Sequence, residues 1–60
     1  MTTNQDKLDA VERELALRRR VYARMVDAGK MSADFAANQI AIFAAIAADY
    51  RQLAEGERLL

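Results

Sequence analysis

The stretch Asp27–Phe35, "DAGKMSADF", decides the architecture of this chain. It contains Gly29, one of only two glycines in 60 residues that include no proline. Glycine and proline are the residues that break helices, whereas the Ala, Leu, Arg, Glu, Gln and Met that dominate elsewhere favour them. Gly29 stands where a left-handed residue closes a helix. Three positions later, Ser32 is placed to cap the next helix, its hydroxyl accepting from the free amide of residue 34 or 35. Asp34, in the first turn after that cap, suits the positive end of a helix dipole. These signals predict a helix over about residues 5–28, a turn over 29–32 and a second helix over about 33–55. So short a turn makes the two helices antiparallel neighbours. The fold class is all-α: an antiparallel helical hairpin, with residues 1–60 forming a single domain.

On the N-terminal side of the turn, Leu8, Val11, Leu15, Tyr22, Val26 and Gly29 recur at helical spacings and form one apolar seam, with Met25 at its edge. Leu17 and Val21 make a weaker second stripe with Ala10 and Ala28. The opposite face carries Asp6, Asp9, Arg13, Arg20, Arg24 and Asp27. Asp9–Arg13 and Glu14–Arg18 are acid-first pairs one turn apart, each stabilising by a few tenths of a kcal/mol.

On the C-terminal side, "FAANQIAIFAAIAADY" (residues 35–50) is apolar almost all round. Phe35, Ile42, Ile46 and Leu53 form one stripe, with Ile40, Phe43, Ala47 and Tyr50 beside it. Ala33, Ala37, Ala41, Ala44, Ala45 and Ala48 fill most of the rest. Pairing about the turn brings Val26 near Phe35, Tyr22 near Gln39, Leu15 near Ile46 and Leu8 near Leu53. Gln39 and the Tyr22 hydroxyl then satisfy each other at the seam, a polar pair that favours one register. One partner helix cannot cover both the aromatic-isoleucine stripe and the alanine surface. Ala37, Ala41, Ala44, Ala45 and Ala48 are therefore expected to mediate self-association. A two-fold four-helix bundle is the simplest closed solution.

Size points the same way. A chain this short usually needs a disulfide, a metal or a partner to fold stably. Cys and His are both absent, which removes disulfides and the usual transition-metal ligands. No Asp-rich calcium loop is present, so no metal and no cofactor is expected, and oligomerisation is the remaining staple. Lys+Arg and Asp+Glu number nine each, a balance that argues against a general polyanion binder. The opening "MTTNQDKLDAVERE" lacks the basic-then-apolar pattern of a signal peptide. The apolar window of helix 2 is too short and too rich in alanine to span a membrane. A cytoplasmic location follows by default.

Two groups of residues bear on chemistry. Within "LALRRRVYAR", consecutive arginines point about 100° apart on a helix, so Arg18, Arg19 and Arg20 cannot converge on one phosphate row. Arg13, Arg20 and Arg24 do line up and are the candidate partner-binding residues, although Asp9 and Asp27 flank them. Arg18 lies close to the apolar seam, where its stem can pack while its head emerges at an interface. Without His or Cys, a nucleophile would have to be Ser32, Thr2, Thr3, a lysine or a carboxylate. Ser32 is accounted for as a cap, and Asp49 has no second acid placed to work with it. No catalytic set is expected, and the chain does not read as an enzyme. Phe35, Phe43, Tyr22 and Tyr50 sit at helical spacing on apolar faces, where aromatics serve as core or interface anchors.

The segments Arg13–Tyr22, Val26–Met31 and Ile40–Tyr50 carry an "RELALRRRVY"-like run, a "V-x-x-GKM" turn and an "AI-x-x-DY" ending. In these the chain resembles short uncharacterised proteins of phages and prophages of proteobacteria. It departs from their pattern at Ala23 and Met25, where the related sequences have Pro and Trp. The resemblance covers about two-thirds of the chain and brings no catalytic or binding residues with it. It implies a phage context inside a bacterial host, where small proteins commonly act by binding a host protein stoichiometrically. The expected function is a protein–protein interaction module, in its sharpest form an inhibitor of a host defence or regulatory complex. A nucleic-acid-binding accessory protein using the arginine row, and a purely structural assembly module, are the alternatives.

Overall fold

Gly29 adopts φ = +74°, the only positive φ among the described residues. Around it the amide of Lys30 donates to the carbonyl of Met25 at 2.8 Å and that of Gly29 to Val26 at 3.0 Å. This pair of bonds satisfies carbonyls that the end of a helix leaves free, and it requires a left-handed residue at Gly29. The computed structural model describes residues 1–58, which form two helices, α1 (Asn4–Asp27) and α2 (Ala33–Arg58). Ser32 caps α2 as its position predicts, its Oγ accepting from the Phe35 amide at 3.1 Å. α1 begins with a capping box that helix propensity alone does not reveal. Thr3 Oγ1 accepts from the Asp6 amide at 3.0 Å, and Asp6 accepts from the Thr3 amide at 3.1 Å. The signature is Thr-x-x-Asp, with Asp in the place usually held by Glu or Gln. α2 runs three residues beyond its predicted end and takes Gly56 into its last turns.

The helices pack side by side as an antiparallel hairpin, 48 × 17 × 13 Å in extent. Two contacts set the register: Asn4 Nδ2 donates to Glu57 Oε1 at 2.6 Å, and the Arg18 guanidinium lies 4.3 Å from the centre of the Phe43 ring. This is the register expected from pairing about the turn. The α1 seam is as expected within the helix, with Leu8 and Leu15 buried and Val11, Tyr22, Met25 and Val26 half-buried, whereas Gly29, counted in that seam, lies past the helix end and is exposed.

The face that α2 turns toward α1 differs from the expected one. Its buried residues are Ala36, Ala47 and Ala54, with Ile40, Phe43 and Tyr50 half-buried between them. The Phe35–Ile42–Ile46–Leu53 stripe is turned away: Phe35 is 52% exposed, Ile42 46% and Leu53 52%, with Ile46 half-buried. The register is right and the rotation is not, by one residue or about 100°. The reason is steric. α1 already brings Leu8 and Leu15 to the seam, and the register sets them within one residue of Ala54 and Ala47. Large side chains opposite small ones let the backbones approach and interdigitate, whereas large opposite large would hold them apart.

Candidate functional site

The surfaces available for binding follow from that rotation. Arg13, Arg20 and Arg24 are all exposed, on the face of α1 opposite its seam. None of the three makes an ion pair among the described residues, whose two salt bridges are Arg18–Glu14 and Arg51–Glu12. The expected Asp9–Arg13 pair is not formed. Asp9 Oδ1 instead accepts from Gln5 Nε2 at 2.9 Å, which leaves the Arg13 head in water. The expected Glu14–Arg18 pair is formed, at 2.9 Å.

Arg18 is the most fully engaged charge among the described residues. Its Nε donates to Glu14, its Nη1 donates to the Tyr22 hydroxyl at 2.6 Å, and its plane lies against Phe43. The hydrogen bond to Tyr22 is the main influence pushing the guanidinium above its already high ordinary value. The Tyr22 hydroxyl is thus satisfied by Arg18 and not by Gln39, the partner that the pairing about the turn predicts. Two of the groups that hold Arg18, Glu14 and Tyr22, lie one turn away on α1, so the signal was local.

The two flanks of the hairpin differ. One carries the cation–aromatic contacts Lys7–Tyr50 and Arg18–Phe43. By helical projection it also carries Val21 and Met25 of α1 and the exposed Phe35–Leu53 stripe of α2. The other flank carries the Glu12–Arg51 ion pair and a shallow open groove lined by Glu12, Leu15, Ala16, Arg19, Ala44, Ala47 and Arg51. The alanines expected to self-associate lie toward this second flank: Ala37, Ala41, Ala45 and Ala48 are exposed, and Ala44 is half-buried.

Among the described residues no cluster of three acidic, His or Cys side chains could hold a metal ion. Nor is any helix there long and apolar enough to cross a membrane. Ser32 is occupied as a cap and Asp49 is exposed. What the surface offers chemically is apolar area, a row of free guanidinium groups and one clamped arginine. No family model matches this chain, and neither a curated protein nor a solved structure is significantly similar to it.

Proposed function

We propose that this chain is a small protein–protein interaction module that self-associates through α2 and presents Arg13, Arg20 and Arg24 to a macromolecular partner. The observation that carries this reading is the exposure of Phe35, Ile42 and Leu53 together on one face of a chain with few buried residues. Large apolar side chains gathered on one side of so thin a molecule mark a surface that another protein covers. In the phage context implied by the resemblance, the sharpest form is a stoichiometric inhibitor of a host defence or regulatory complex in the bacterial cytoplasm. The unpaired state of the three arginines favours a second reading, contact with nucleic-acid phosphates once a dimer doubles the row.

Arg20→Glu with Arg24→Glu tests both. These residues are solvated, so helix content and melting should change little, each substitution staying within ~0.5 kcal/mol. Capture of a specific protein from host lysate by the intact chain should be lost in the double variant. Binding to duplex oligonucleotide that falls steeply between low and physiological salt would favour the nucleic-acid reading instead. Equal protein capture by wild type and variant would remove the arginine row from the proposal.

A further inference from the structure

α2 carries two seams of heptad spacing, offset by one residue. The first, Ala36, Ile40, Phe43, Ala47, Tyr50 and Ala54, faces α1. The second, Phe35, Gln39, Ile42, Ile46, Asp49 and Leu53, faces outward on the same flank as Val21 and Met25. A helix with two adjacent heptad seams is built for two partner helices, and the chain itself supplies only one.

We propose that the second seam is occupied by the same seam of a second copy of this chain, antiparallel, about a two-fold axis level with Ala44. The inference rests on the reading of the chain as a self-associating module and names the surface. The steps of four, three, four, three and four are symmetric about Ala44, and so is the chemistry. The two-fold places Phe35 against Leu53 of the second copy, Ile42 against Ile46, and Gln39 against Asp49. Each pair then occurs twice, as an isologous contact requires. The Gln39 amide donates where the Asp49 carboxylate accepts, and neither side chain makes a hydrogen bond of its own among the described residues.

The chain exposes more surface than a compact monomer would. The chain exposes 4488 Å², whereas a folded monomer of 6.7 kDa is expected to expose about 3,900 Å². The excess of about 600 Å² reflects the rod shape and is surface of the order of the roughly 800 Å² that each partner buries in a standard stable interface. The alanine surface lies on the far side of α2 from this seam and remains outside the contact.

Sedimentation equilibrium of the full chain tests the proposal, with circular dichroism as a check on helix content. Wild type should be a dimer at micromolar concentration. Ile42→Glu should raise its dissociation constant at least ~100-fold by burying an unpaired charge at each copy of the seam. Ala41→Glu and Ala48→Glu should leave it within a few-fold. A second measurement does not depend on how Ile42→Glu folds. In this cysteine-free chain, Phe35→Cys mixed with Leu53→Cys under mild oxidation should give the mixed disulfide in several-fold excess over either symmetric one. A wild type that stays monomeric overturns both the self-association reading and this surface. A dimer that survives Ile42→Glu but breaks with Ala41→Glu or Ala48→Glu keeps the reading and overturns the surface. Preferential cross-linking of Phe35→Cys to itself overturns the antiparallel pairing.

Discussion

Ala47 sets how closely the two helices approach. It is 3% exposed, within one residue of level with Leu15 at the edge of the shallow groove, so a longer side chain there must displace its neighbours. Ala48, the next residue, points about 100° away into solvent. Ala47→Leu should therefore destabilise the fold by ~1–3 kcal/mol through overpacking, while Ala48→Leu should stay within ~0.5 kcal/mol. Urea denaturation of the two variants reads the difference directly. Similar effects at both positions would mean that α2 is rotated otherwise than described. Arg18 shows the same dependence on position. Its neighbours Arg19 and Arg20 are exposed, whereas its own head is held between Glu14, Tyr22 and Phe43. Three arginines in a row thus have different surroundings, set by the angle at which each leaves the helix.

At the level of the elements, the two glycines make opposite demands. Gly29 at φ = +74° has open space where a Cβ methyl would stand, so replacing it with Ala strains the backbone without a clash. Gly29→Ala should cost ~1–2 kcal/mol, because an L-residue pays that much to enter the left-handed region. Gly56 lies inside α2, also with open space, and needs no unusual φ. Gly56→Ala should stabilise by up to ~1 kcal/mol, through the smaller loss of backbone freedom. Chemical denaturation of both variants should give changes of opposite sign, and a stabilising Gly29→Ala would contradict the turn geometry. Helix ends are legible in the sequence because caps are local: Gly29 and Ser32 act on groups within a few residues of themselves. The three-residue extension of α2 is not, because Gly56 reads as a breaker although a helix tolerates one glycine at a cost of about 1 kcal/mol.

As a whole, the molecule is a rod two helices wide and one helix thick. Its radius of gyration is 14.0 Å, against about 10 Å expected for a compact chain of this length. Each helix meets its neighbour along one side only, and among the described residues no large side chain is fully buried. The two salt bridges join side chains that are one-third exposed or more, so they add little to stability. On the proposed self-association, most of the stability of so thin a structure would come from the contact between copies. Thermal melting followed from about 5 to about 500 µM protein should accordingly move up by several degrees, as mass action requires for a folded dimer. A melting temperature independent of concentration would show that the hairpin stands alone.

The two helices, the place and chemistry of the turn, the antiparallel pairing and its register can all be read from the amino-acid order. Those properties rest on capping groups, propensity and the length of a short connection, all of which act between near neighbours. The α1 seam can be read too, because one apolar stripe of α1 is clearly stronger than the other. Which side of α2 meets α1 emerges only when the helices pack. α2 is apolar almost all round, so hydrophobicity gives it no preferred direction. The choice fell to shape: Leu8 and Leu15 need small partners, and Ala54 and Ala47 provide them. That selection turned Phe35, Ile42 and Leu53 outward, while Phe43 and Tyr50 stayed beside the alanines at the edge of the seam.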